Sequence, residues 1–442
     1  MRKGKAFILV LSMLLLNSCG VKFDLPTQSS RQDPISGAGR KTYIRVSPNW
    51  DAAHGYDFAE PWDVLIGADG YLFVADRQTS RIHVISSAGR VVSDDAYGND
   101  FRALDDLGLQ PHTIAQDETL NLFVADSSNR IFVWNQYLAN VGIDSVASSV
   151  QLRSSIGDLK WLEDIDSVSR YEAAGWSIVG VHWTAEGTED WVKPRVFWDA
   201  TDSLEASRIR RYFINPDSIR ITGLAAREGL CLVADAFNNA ILTLAYKPVA
   251  LLKTRRDNEI LVYGASIMER TVSSGTGNGT VNDPRGMVLG TDGAIYYTQW
   301  GKNFGVHKVG GESGFEYGED DIMEIDRFNH PSDITLDQTA NIYVADTEHN
   351  LVQQFNPDGS FAYNIGTSLH FIDSTLTDSI QGENGLEIVS RDTVLQIEAA
   401  DVLRSPRAIA VDANGIVYIA DTGNQRIMRF RLSTDLDYET AN

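Results

Sequence analysis

Six side chains with binding or acid–base capacity stand at one repeated offset in this 442-residue chain. Each follows the first residue of a short apolar segment: Trp62 in PWDVLIG, His112 in PHTIAQD, Thr222 in ITGLAAR, Arg285 in PRGMVLG, Ser332 in PSDITLD and Arg407 in PRAIAVD. Asp63 and Asp333 come next in two copies. Guanidinium groups hold carboxylates through paired N–H donors, an imidazole can take a proton, and an indole offers an apolar face. If the six segments start around one opening, Trp62, Asp63, His112, Thr222, Arg285, Asp333 and Arg407 would line a site for a small polar or carboxylated molecule. The plainer reading is a ring of solvent-facing polar side chains with no ligand. The alternative chemistry is a hydrolase or lyase with His112 as general base and Arg285 and Arg407 holding an anion. HExxH, GxSxG and Walker patterns are absent. The glycines of GTGNGT (Gly275, Gly277, Gly279) do not join a strand to a helix, so they read as a loop and not as a phosphate cradle.

The elements that must position these residues recur with them. A turn follows each segment, often Asp-Gly or Asn-Gly: Asp69-Gly70, Asp292-Gly293, Asn414-Gly415. Then comes a second strand such as YLFVAD, NIYVAD or IVYIAD, a polar turn, and a third strand such as RIHVI, RIFVW or RIMRF. Alternation and turn dipeptides of this kind mark hairpins, and the absence of helical periods argues for an all-β repeat architecture. The spacing suits units of about 40–45 residues, the size of a propeller blade. Asp76, Asp126, Asp235, Asp346 and Asp421 end the second strands. Five equivalent carboxylates would face five directions, so each is expected to accept N–H groups of the turn that follows it. In the fourth copy, IYYTQWGKN, Thr298 is read as replacing the aspartate, with Trp300 in the turn; the loss of the cap is either drift or a means of placing Trp300 and Lys302 toward a ligand.

The shared pattern, Pro-x-Gly/Asp-Ile, then Asp-x-x-Gly-x-Ile-Tyr-Val-Ala-Asp-x-x-Asn-x-Arg-Ile, resembles the NHL repeat. GTGNGTVNDPRGMVLGTDGAIYY is similar to that family's glycine-rich approach to a blade. The resemblance runs from Thr42 to Leu432. It implies a six-bladed β-propeller over 41–434, with seven blades as the alternative. Tyr43–Val46 is expected to supply the outer strand of the last blade and close the ring. Zinc-dependent amidating lyases on similar propellers place His after Pro in three blades; only His112 stands there in this chain, and His330 precedes its proline, so no zinc site is expected. Calcium-dependent lactonase-like propellers gather carboxylates and amides in the channel. Asp63 and Asp333 are two hard ligands where calcium takes about six to eight. No metal site or cofactor is therefore predicted, a channel-bound calcium ion being the one left open. The expected role is a binding or scaffold module for a protein, a glycan or a small polar ligand.

Composition bounds the partners. Apolar content of 43% and aromatic content of 10% belong to a folded chain. A net charge of −22 repels phosphate backbones and argues against nucleic acid. Arg2, Lys3 and Lys5 precede an apolar run from Ala6 to Leu16, too short to span a bilayer. LNSC, ending at Cys19, resembles a bacterial lipobox. That resemblance implies a signal peptide over 1–18, a lipidated Cys19, a tether over 19–40 and a membrane-anchored protein of the bacterial cell envelope, at the outer membrane or cell surface of a two-membrane host. Cys231, left alone on an apolar strand, is read as a small buried hydrophobe. An insertion at about 140–215 carries Trp161, Trp176, Trp183, Trp191 and Trp198. These indoles either fill a core or form an exposed platform for sugar rings and apolar ligands. Residues 435–442 are read as a tail.

Overall fold

Strands whose two faces are both apolar must be covered on both sides, and the middle strand of every repeat is of that kind. Leu72–Asp76, Ile342–Asp346 and Val417–Asp421 are buried at all five positions. Radial stacking of small antiparallel sheets satisfies them. In a computed structural model the described residues are 42–92, 101–135, 219–246, 271–311, 321–366 and 402–433, with short gaps, together with strand backbones between 150 and 199, 247 and 270, and 369 and 397. They form six antiparallel sheets in a ring, a six-bladed β-propeller. A separate unit includes the hairpin of Leu376–Gly382 with Gly385–Arg391.

Blade 1 is Pro61–Ile66, Leu72–Asp76 and Arg81–Ile85. Blade 2 is Pro111–Gln116, Asn121–Asp126, Arg130–Asn135 and Arg195–Asp199. Blade 3 is Ile221–Arg227, Leu230–Asp235, Ala240–Lys253 and Glu259–Val272. Blade 4 is Pro284–Leu289, Ile295–Gln299 and Val306–Val309. Blade 5 is Pro331–Leu336, Ile342–Asp346, Leu351–Phe355 and Phe361–Ile365. Blade 6 is Pro406–Val411, Val417–Asp421 and Arg426–Leu432, completed on its outer edge by Tyr43–Arg45.

The core lies between neighbouring blades. Phe73, Ala75, Ile82 and Val84 of blade 1 pack on Ile114, Leu122, Val124 and Trp134 of blade 2, and similar layers join blades 2 and 3, and 5 and 6. Removing such surface from water at about 25 cal/mol per Å² is what holds the ring. Closure works as the sequence implied: Tyr43 pairs with Leu432, Ile44 with Arg431 and Arg45 with Phe430. Ser433 N donates to Thr42 O at 2.7 Å, and Trp50 is buried between blades 6 and 1.

Two expectations change. The seven-blade alternative falls, because Arg195–Asp199 pairs with Arg130–Asn135 as the fourth strand of blade 2. Val150–Arg153 and Ser177–Val179 join the two 14-residue strands of blade 3 instead of forming a sheet of their own. Those strands are long enough to offer edges beyond the blade. The segments 1–18, Cys19, the tether 19–40 and the tail 435–442 lie outside the described residues, as do Trp176, Trp183 and Trp191. Among the described residues no helix is long and apolar enough to cross a membrane.

Candidate functional site

Every innermost strand carries a β-bulge directly after its first residue. In blade 1, Pro61 pairs with Asp76 and Asp63 with Ala75, which leaves Trp62 as the extra residue. The same shift occurs at His112, Thr222, Ser332 and Arg407, and over Arg285–Gly286 in blade 4. A bulge re-aims its side chain out of the alternating pattern. Here the ring of bulges turns the post-proline residues into one opening. Trp62, Asp63, His112, Thr222, Arg285, Asp333 and Arg407 line a single cavity of about 460 Å³, joined by Thr113, Ser332 and Trp300.

Two further positions fix the geometry of this rim. The strand-ending aspartates clamp the approach to the inner strand as well as the turn that follows. Asp76 accepts from Ala59 N and Glu60 N at 2.7 and 3.0 Å, and from Gln78 N and Thr79 N. Asp235 takes Arg220 N, Asp346 takes Asn329 N and Asp421 takes Arg404 N; Asp126 is half-buried. In the fourth copy the register corrects the reading of Thr298. Gln299, not Thr298, pairs with Pro284 as the aspartates pair with their prolines. Its Oε1 accepts Asn282 N at 2.9 Å, so the cap survives in neutral form.

The residue after the cap ties blades 4, 5 and 6 to the next blade. Thr347 Oγ1 donates to Pro406 O at 2.8 Å, and Thr422 Oγ1 donates to Pro61 O across the closure. Trp300 stands at this position in blade 4, and its Nε1 donates to Pro331 O at 3.0 Å. In blade 3, where the position is Ala236, Thr222 Oγ1 donates to Pro284 O instead. Trp300 therefore does the work of the threonines and adds an indole face to the mouth.

The second residue after each starting position forms the floor. Asp63 Oδ2 accepts Ile114 N of blade 2 at 2.7 Å, Thr113 Oγ1 accepts Leu224 N of blade 3, and Asp333 Oδ2 accepts Ile409 N of blade 6 at 2.8 Å. At Gly223 a Cβ would lie 2.0 Å from Arg285 O, and at Gly286 2.4 Å from Asp333 Cα, so these blades meet backbone to backbone. Below the floor a second cavity of about 680 Å³ is lined largely by apolar inner-strand side chains, among them Leu65, Leu224, Met287 and Ile409.

Charge is concentrated above the floor. Arg407 lies 4.5 Å from the ring centroid of Trp62, Arg77 lies 4.2 Å from the same ring, and Arg285 lies 3.6 Å from that of Trp300. Arg285 holds both oxygens of Asp283 through Nη2, at 2.8 and 2.7 Å, and Arg77 pairs with Glu60 at 3.3 Å. No carboxylate among the described residues lies within 4.0 Å of the Arg407 guanidinium. His112 rests 5.0 Å from Trp62, centroid to centroid, and its Nδ1 is buried without a hydrogen-bond partner. Burial, followed by the charges of Arg77, Arg285, Arg407 and Arg220, pushes His112 down to about 4, so it is neutral at neutral pH. Burial pushes Asp63 up to about 6 despite its N–H bonds. Asp333 is pushed well above the usual carboxylate range by burial and then by the charge of Asp63.

The structure thus brings together all seven rim residues. Trp300 completes the mouth and Arg77 stands over the Trp62 ring; the signal for both was a departure from threonine at the position after the cap, visible once the repeats are aligned without a gap. Asp63 and Asp333 make a poor calcium cradle: their oxygens are engaged by backbone N–H groups, and among the described residues no third His, Cys, Asp or Glu joins them. Of the insertion tryptophans, Trp198 is 3% exposed and packs between blades 2 and 3, so it forms no part of an exposed platform. Trp161 stands in a strand, Leu159–Leu162, whose side chains lie outside the description. Cys231 is fully buried, and burial pushes its thiol up, which leaves it unreactive.

The NHL repeat family model matches residues 328–355 and 403–430, which hold most of the first three strands of blades 5 and 6. A search of curated protein sequences finds no match. Similar solved structures include a Bacteroides thetaiotaomicron protein of unknown function, at 13% identity over 89% of this chain and 76% of that one, TM-score 0.47. An auxiliary nutrient binding protein from the same organism is 8% identical over 89% and 77%, TM-score 0.42. Virginiamycin B lyase from Staphylococcus aureus is 11% identical over 89% and 100%, TM-score 0.37. No ligand or activity is carried over from them.

Proposed function

We propose that this propeller is an extracytoplasmic binding module, held at a bacterial membrane through a lipidated Cys19, whose channel mouth takes a small polar ligand. One observation carries the reading: six bulges aim unlike side chains into one cavity of about 460 Å³, with the Arg407 guanidinium over the Trp62 ring and free of any carboxylate partner among the described residues. Few convergent polar groups on aromatic walls are the usual lining of small-molecule sites. The rim residues differ from blade to blade while the residues that build the blades repeat, as expected when the rim is chosen for a ligand and the rest for the ring.

A thermal-shift screen of polar metabolites tests the site. A ligand that raises the melting temperature of the wild type should lose its effect on a Trp62→Ala, Arg407→Gln double variant. Retention of the full shift by that variant would remove the mouth from consideration. Membrane attachment has its own test: Cys19→Ala should move the protein from the membrane to the soluble fraction.

The second reading, a hydrolase or lyase at the same mouth, is favoured by the unpartnered Nδ1 of His112. Against it, a base that titrates at about 4 is poorly matched to proton abstraction near neutrality.

A further inference from the structure

Two features of the mouth act on charge in opposite directions. Above, the guanidinium carbons of Arg407 and Arg285 stand over indole rings. A guanidinium placed in this way keeps its in-plane N–H fork free for a planar oxyanion. Arg285 already spends one edge on Asp283, whereas Arg407 spends none on a carboxylate among the described residues. Below, the same cavity ends on the carboxyl groups of Asp63 and Asp333. An anion held by Arg407 would face that floor in a confined space of low polarity, where like charges repel strongly.

We propose that the mouth binds a small organic carboxylate or phosphate together with a proton, Arg407 gripping the anion and the Asp63–Asp333 floor carrying the proton. This rests on the reading of the mouth as a ligand site. The floor is suited to the task by its construction. Its oxygens are fixed by Ile114 N and Ile409 N of the neighbouring blades, so neither carboxyl can swing away from an incoming anion. The other titratable or charged groups around it are Arg77 and Glu60 at blade 1, His112 from blade 2, Arg220 beside blade 3, Arg285 with Asp283 at blade 4, Glu348 at blade 5 and Arg407 from blade 6; Thr222 and Ser332 line the cavity from blades 3 and 5. His112 is neutral throughout the relevant range, and the arginines stay charged. Asp63, pushed up to about 6, changes charge between pH 5.5 and 7.5, beside an Asp333 held well above the usual carboxylate range. A proton taken from solvent by Asp63 or Asp333 removes the repulsion and creates an O–H donor facing the ligand.

Isothermal titration calorimetry on the purified protein tests this with three probes: benzoate, inorganic phosphate and the uncharged benzamide. Benzoate stays ionised above pH 5, so its own titration does not interfere; phosphate is scored at pH 7.5 only. Expected is binding of an anion but not of benzamide, with benzoate affinity rising about tenfold from pH 7.5 to 5.5, the scale for linkage to one proton. Arg407→Gln should weaken anion binding about tenfold or more at both pH values. Asp63→Asn keeps an acceptor for Ile114 N and removes the group that titrates near 6, so it should bind benzoate at pH 7.5 more tightly than the wild type does, with the pH slope flattened. Phosphate tighter than benzoate assigns a phosphorylated ligand, and the reverse a carboxylate. Benzamide that binds the wild type but not the Trp62→Ala, Arg407→Gln double variant, while neither anion binds, overturns the inference and leaves the ligand site standing. Anion binding with no pH dependence removes the proton. If no probe, charged or neutral, distinguishes the wild type from Arg407→Gln, the ligand site itself falls.

Discussion

Asp421 and Arg407 stand on paired strands of blade 6, one residue from each other across the sheet, and their surroundings are opposite. Asp421 is fully buried and accepts from Arg404 N at 2.6 Å, Asn424 Nδ2 at 2.9 Å and Arg426 Nε at 2.6 Å. Arg407 has an indole beneath it and no carboxylate within ion-pair distance among the described residues. A buried charge whose partners are all supplied by its own blade is part of the framework. A charge placed on an opening with its partners withheld has been left for something else. Around the ring the caps share one task, accepting backbone N–H groups, whereas the bulge residues differ: Thr222, Arg285 and Ser332 are hydrogen-bonded within the ring, and His112 Nδ1 and the Arg407 guanidinium are left open.

The sharpest way to break this contrast is to remove a cap. Asp421→Ala leaves several buried donors without acceptors, and a loss on the order of 3 kcal/mol is expected in urea unfolding; a loss below ~1 kcal/mol would show that the cap is dispensable. Next is Gly223→Ala, where the new methyl meets the carbonyl of Arg285 at 2.0 Å and blades 3 and 4 must part; overpacking of this kind costs about 1–3 kcal/mol. Thr422→Val removes one interblade hydrogen bond at the closure and should cost about 1 kcal/mol. Arg407→Gln should change stability by no more than ~0.5 kcal/mol while abolishing ligand response, the signature of an open position.

The pH dependence of stability separates the same two kinds of group. Burial holds both His112 and His307 down to about 4, whereas their unfolded forms titrate near 6.5. The unfolded chain therefore binds more protons in that window, and this stability is present above it and lost as pH falls through it. Asp63 runs the other way: raised to about 6, it favours the fold at low pH, and that contribution is lost as pH rises through 6. Asp63→Asn should therefore steepen the acid loss between pH 6 and 4, measured by thermal melts across the range. An unchanged slope would mean that the floor does not titrate there.

Much of this was legible in the residues. The six starting positions Pro61, Pro111, Ile221, Pro284, Pro331 and Pro406 all begin inner strands, and Tyr43–Arg45 closes blade 6, because hydrophobic alternation and turn dipeptides act locally and recur. The rim residues could be named because one offset was shared. Gln299 and Trp300 were legible as well: IYYTQW laid on IYVADT without a gap puts Gln299 under Asp346 and Trp300 under Thr347, and strand pairing agrees, so reading Thr298 as the cap was a one-residue slip. The long strands of blade 3 and the donation of Arg195–Asp199 to blade 2 were hidden, because strand partners far apart in sequence leave no local mark.

What the order of amino acids determined by itself was the unit: a hairpin module, its aspartate cap, its place of contact with the next module and the list of variable residues at its start. What the tertiary structure alone decided was company. That Arg407 would lie on Trp62, that Asp63 would sense Asp333 two blades away, and that Gly223 and Gly286 would let backbones touch depends on how six sheets share one axis. Distances across a ring are set by packing between blades, and the chain encodes that packing in many contacts at once and in no single stretch.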